Sequence, residues 1–206
     1  VFAYELISQA RTICQIDPDF QLSVKGHIYA FDSSVVDLCL NVFWWATFRK
    51  AKAGIKLHTL LDVKTNIPAY IHITTASTHD VNGLDLLDFD EGSYYVLDRG
   101  YVDFTSLYKI HKKGAFFVTR AKSNNKVKRI YSAKADKDKG ILYDQQIKLE
   151  GAQSFKSYPE KFRRIKFYDA EQKRTFIFIT NNLELSAIEI ALLYKYRWKV
   201  ELFFKW

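Results

Sequence analysis

Apolar and polar residues alternate along this chain with two periods, and the switches between them mark out its elements. Residues 1–16 carry Leu6, Ile7, Ala10 and Ile13 at helical spacings, and Asp17-Pro18-Asp19 predicts a turn after them. His27-Ile-Tyr-Ala-Phe-Asp32 predicts a buried strand with Ile28, Ala30 and Asp32 on one face, ended by Ser33 and Ser34. Ile55–Asp62 and Ala69–Thr75 predict a hairpin turning at Asn66 and Pro68. Asn82–Phe89 predicts a short helix and Tyr94–Asp98 a fourth strand. Asp103 and Gly114 bracket a helix from Phe104 to Lys113, and Ala115–Thr119 predicts a fifth strand.

Beyond Arg120 the texture changes. Lys126–Tyr131, Ile141–Leu149, Arg163–Tyr168 and Arg174–Thr180 alternate like half-buried strands, with a charged loop at Lys134–Gly140. Residues 121–182 therefore read as an all-β insertion. Ser186-Ala-Ile-Glu189 has capping-box form and opens a final helix that runs to the end of the chain. The expected architecture is α/β: a mixed five-stranded sheet with helices packed on it, the Asp32 and Asp98 strands side by side.

Size and composition permit one domain with a large core, since 48% of the 206 residues are hydrophobic and 16% aromatic. No apolar run is long enough for a membrane helix. The absence of methionine, the start at Val1 and a last helix without cap or breaker lead us to expect a fragment. Two cysteines, Cys14 and Cys39, are too few for a disulfide framework or zinc cluster, and are expected as buried thiols in a reducing compartment. A formal charge of +8 favours a polyanionic partner.

The candidate chemistry lies in the acids. Asp32 and Asp98 each end an apolar strand, and Tyr194, Arg197 and Glu201 fall on one helical stripe. Phosphoryl transfer needs charge neutralisation and a clamp on the attacking and leaving oxygens, which two divalent cations held by carboxylates supply. Asp62, Asp80 and Asp103 compete as turn or cap residues. Trp44 and Trp45 with Arg49, Lys50 and Lys52 read either as a nucleic-acid surface or as an apolar segment with a basic edge. His79-Asp80 matches no zinc spacing and reads as a loop pair. Neither a G-x-S-x-G turn nor a phosphate-cradling glycine loop is present.

Tyr194, Arg197 and Glu201 resemble the first three positions of the Y-(2)-R-(3)-E-(6)-K signature of a large group of bacterial insertion-sequence DDE transposases. Phe31-Asp32-Ser33 and Leu97-Asp98-Arg99-Gly100-Tyr101 resemble the surroundings of that group's two catalytic aspartates. Trp45–His58 and Thr78-His79-Asp80 are similar as well. The resemblance covers residues 26–206, and the signature lysine falls beyond Trp206; Lys205 is out of register. It implies an RNase H-like catalytic core in which Asp32, Asp98 and Glu201 hold two Mg²⁺ or Mn²⁺ ions. A water then attacks first, and the freed 3′-OH of the transposon end attacks target DNA. Tyr194 and Arg197 are implied to contact DNA, with Lys56, Arg120, Lys122 and Arg49 as further candidates. The implied partners are double-stranded DNA, as terminal inverted repeats and target, and a second copy in a synaptic dimer. The implied setting is the bacterial cytoplasm at the nucleoid, with an amino-terminal DNA-binding region and a carboxy-terminal tail outside these residues. Two competing readings are an RNase H-like nuclease that is not a transposase and a non-catalytic DNA-binding relic.

Overall fold

The structure, a computed structural model, describes residues 2–38, 47–49, 52–79, 83–122 and 125–205. Trp44, Trp45, Lys50, Cys39 and Asp80 lie outside the described residues, and Arg49 is placed by its backbone alone. After helix α1 (Phe2–Ile13) come strands β1 (Ile28–Leu38), β2 (Thr47–Arg49), β3 (Lys52–Asp62), β4 (Ile67–Thr75) and β5 (Tyr94–Leu97). Helix α2 (Phe104–Lys112) leads into β6 (Phe116–Arg120). Next are β7 (Val127–Ala133), β8 (Ile141–Leu149), α3 (Ala152–Ser157), β9 (Phe162–Asp169) and β10 (Arg174–Thr180). Two short helices close the described chain, α4 (Ala187–Lys195) and α5 (Trp198–Phe203).

Among the described residues the strands form one ten-stranded mixed sheet in the order β2-β3-β1-β5-β6-β10-β9-β8-β7, with β4 also paired to β3. β1 runs antiparallel to β3 and parallel to β5, and β5 runs parallel to β6. The expected hairpin is present as β3 and β4, with Asn66 at φ 59° in its turn. That left-handed conformation is one asparagine tolerates better than most residues.

The sheet separates two apolar layers, as the two-residue period requires. Phe31, Tyr95, Leu97, Phe117 and Ile179 point to one side, where Leu107 and Ile110 of α2 and Tyr158 cover them. Ile28, Ala30, Val96, Val118 and Phe178 point to the other, beneath Ile190, Leu193 and Tyr194 of α4 and Val200 of α5.

Several expectations change. Ser33 and Ser34 do not end β1, because both stay in the antiparallel ladder opposite His58 and Leu57. α1 stops at Ile13, and of the helix expected over Asn82–Phe89 the described residues Gly83 and Leu84 are helical while 85–89 are turn and coil. The insertion is not all-β, since it includes α3; its strand β10 pairs with β6 and extends the same sheet. The final helix is two helices, joined where the Arg197 and Val200 amides bond three residues back and tighten the turn. Cys14 is exposed rather than buried.

Candidate active site

Strand register brings the two aspartates together. Ile28 faces Tyr94 and Phe31 faces Leu97 in the parallel ladder, so the next positions are Asp32 and Asp98. Neighbouring strands lie about 4.8 Å apart, and both residues share the sheet face covered by α4 and α5. Asp98 leaves the strand as the N-cap of a 3₁₀ turn, its carboxylate accepting from the Gly100 amide at 3.3 Å.

The two short helices add the remaining groups. The Ser186–Glu189 capping box is formed as expected and starts α4. Tyr194 then places its hydroxyl 3.3 Å from Asp98 Oδ1, as donor. Arg197, at the α4–α5 junction, donates from Nη1 to Asp32 Oδ2 at 3.2 Å and from Nη2 to Glu201 Oε1 one turn later. Arg120 at the end of β6 donates to Asp98 Oδ1 at 3.2 Å. The Tyr194 ring is near both guanidiniums, its centroid 5.9 Å from Arg120 Cζ and 5.7 Å from Arg197 Cζ. Three carboxylates thus meet two guanidiniums.

The electrostatics follow from that count. Burial pushes the Asp32 carboxyl up to about 6; the Ser33 amide and Arg197 oppose this, and the charges of Asp98 and Glu201 add to it. Burial acts on Asp98 in the same sense, but the Arg99 and Gly100 amides with Arg197 and Arg120 outweigh it and hold Asp98 below the usual carboxylate range. A groove of about 850 Å³ opens beside the cluster, between α4–α5 and β9–β10, with Arg174, Phe176, Lys195 and Trp198 on its walls.

Other predicted positions lie apart. Lys56 is buried on the sheet face opposite Asp32, its ammonium on the Thr78 carbonyl. Lys122 donates to the Val102 carbonyl at 2.7 Å. Asp62 is a buried acceptor for Lys64 and lies near Arg11 and His27, and Asp103 caps α2.

Three groups that hold the acid-bearing helices escape the sequence reading. Asn182, buried after β10, accepts from the Glu184 and Leu185 amides and donates to the Tyr94 hydroxyl. Arg163 forks onto Asp144 at 2.7 and 2.5 Å and also donates to the Leu185 carbonyl. Its signal was parity, because Arg163 is two residues from Ile165 and so shares its inward face. Lys199 of α5 donates to Asp17 at 2.6 Å and to the Val63 carbonyl at 3.1 Å.

The donor chemistry fits a hard divalent cation: three carboxylates lie near one another, with the Asp32 carboxyl raised by burial first and by the charges of Asp98 and Glu201 after it. Among the described residues, however, no three His, Cys, Asp or Glu side chains are close enough together to form a ready metal group. Arg197 supplies the positive charge between Asp32 and Glu201.

Known proteins place this geometry in a family. Residues 25–206 match the family model described as the transposase DDE domain. The chain is 28% identical over 196 residues to the provisionally named transposase y4zB of Sinorhizobium fredii, covering 93% of this chain and 54% of that protein. It is 30% identical over 178 residues to the probable transposase of insertion sequence element IS5377 from Geobacillus stearothermophilus, covering 85% and 46%. A provisionally named transposase of insertion sequence element IS4SA from Synechocystis is 25% identical over 183 residues, covering 86% and 49%. The chain spans about half the length of these relatives. With the match running through both strand-end aspartates and the α5 glutamate, the chain belongs to the transposase DDE-domain family.

Proposed function

We propose that this chain is the catalytic core of an insertion-sequence transposase, cutting DNA at transposon ends and joining the freed 3′-OH to target DNA. The observation that carries this reading is the meeting of Asp32, Asp98 and Glu201 around Arg197 on one sheet face. The order β4-β3-β1-β5-β6, with β1, β5 and β6 mutually parallel, supports an RNase H-like core extended by β7–β10.

Transposase DDE domains generally use divalent metal ions. Here Asp32, Asp98 and Glu201 would hold two Mg²⁺ or Mn²⁺. When bound, such ions supply an activated water and neutralise charge building on the phosphoryl oxygens. The chain's own residues do the rest. Asp32 and Asp98 come from adjacent rigid strands, so their spacing is fixed before substrate arrives. Arg120 and Arg197 present guanidinium forks that match phosphate as well as carboxylate. Tyr194 lies near both forks, and the groove beside them admits a DNA strand. Duplex DNA carrying terminal inverted repeats, a second copy in a synaptic dimer, and a nucleoid setting complete the proposal.

The test is Asp98→Ala in the whole transposase. The expected outcome is loss of metal-dependent nicking of transposon-end DNA, with duplex binding largely kept. Nicking that survives the change would remove Asp98 from the chemistry. Products with transposon 3′ ends joined to target DNA would separate a transposase from a nuclease on the same fold.

A further inference from the structure

Arg197 is the most heavily committed side chain of the site. It is 15% exposed, its two terminal nitrogens bind Asp32 and Glu201, and its Nε is buried with no hydrogen-bond partner. The guanidinium therefore sits on one oxygen of each of these two carboxylates, and its charge opposes a divalent ion placed at the same groups. A guanidinium recognises phosphate with the same fork geometry it uses for carboxylate. Arg197 also lines the groove, with Arg120, Arg174 and Lys195. Lys195 at 61% exposure and Arg120 at 30% stand nearer solvent, so a DNA phosphate entering past them would reach Arg197 at the inner end of a basic path.

We propose that Arg197 is a resident counter-cation that competes with the divalent ion for Asp32 and Glu201, and that DNA phosphate frees both carboxylates by drawing the guanidinium away. Tyr194 is the fixed stop in this exchange, since its ring contacts the Arg197 guanidinium while its hydroxyl stays on Asp98. The inference rests on the reading of the three acids as metal holders. It makes DNA binding and metal loading one coupled event. By linkage, each ligand then tightens the other by the same factor.

The experiment titrates Mn²⁺ into the 206-residue chain, following the free ion by electron paramagnetic resonance. Arg197→Gln is expected to bind Mn²⁺ about tenfold tighter than the parent, the effect of removing a competing charge at contact distance. Arg197→Lys, which keeps the charge, is expected to stay near the parent. Adding Asp32→Asn to Arg197→Gln is expected to abolish the gain. If Asp32→Asn removes Mn²⁺ binding but Arg197→Gln binds no tighter than the parent, the competition is refuted while the metal reading stands. If Asp32→Asn leaves Mn²⁺ binding intact, the metal reading itself falls.

A second measurement needs no change at Arg197. The affinity of the unaltered chain for a fluorescent DNA duplex is read by anisotropy with and without Mn²⁺, against Asp32→Asn as control. Tightening by Mn²⁺ that the control lacks supports the coupling, and equal affinities overturn it.

Discussion

At the scale of single residues, the site and its supports are charge pairs whose worth depends on burial. Asp17 is one such support. It accepts from Lys199 and from Asn66 at 2.6 Å, and these bonds with the Asp19 amide lower its pKa from 3.8 to about 2. A carboxyl lowered on folding stabilises the fold above its unfolded value, and that stability fades as pH falls from about 4 to about 2. Asp17→Asn is therefore expected to cost roughly 1–2 kcal/mol at neutral pH, partial exposure keeping it below the full linkage value. Urea unfolding should show the gap between parent and variant closing over that acidic window; a gap constant with pH would assign the loss to packing. Asp32 presents the opposite case, a carboxyl raised by burial and further by the charges of two neighbouring acids.

Among elements, the joints between strand and helix decide where the acids stand. Asn182 ties the end of β10 to the start of α4 and to Tyr94 of β5. Asn182→Ala leaves two amides and a hydroxyl without their partner and is expected to cost about 2–3 kcal/mol, read from the denaturant midpoint. Ser186→Ala, which removes only the cap, should cost about 1 kcal/mol. Strands β5 and β6 were legible in the sequence as short apolar runs, because both of their faces are buried, and β8–β10 because their alternation reports burial. The full length of β1 was not, since Ser33–Leu38 stays extended through the ladder to β3, a partner that local pattern does not reveal. α3 has too few residues to show a helical period, and no proline or glycine marks the α4–α5 break. The acids were legible as strand ends and a helical stripe. The double pairing of Arg197 was not, because Asp32 lies far from it in sequence and only the folded sheet brings the two together.

For the whole molecule, one sheet joins the acid-bearing strands to the β7–β10 extension, and the buried Arg163–Asp144 pair fastens that extension to the loop before α4. Asp144→Ala strands a buried guanidinium and is expected to cost about 3–5 kcal/mol, whereas replacing both partners with apolar residues of similar volume should be near neutral. Equal losses in calorimetry for the single and double variants would contradict that account. The sheet order also carries a consequence for synthesis. β1 finds β3 soon after it leaves the ribosome, but its parallel partner β5 comes only after β4, and α5 comes after all ten strands. A nascent chain folding from its amino end therefore builds the bed of the acidic cluster long before Glu201 can reach it. Until α5 docks, the growing polypeptide has the two aspartates but not Glu201, and the acidic cluster stays incomplete.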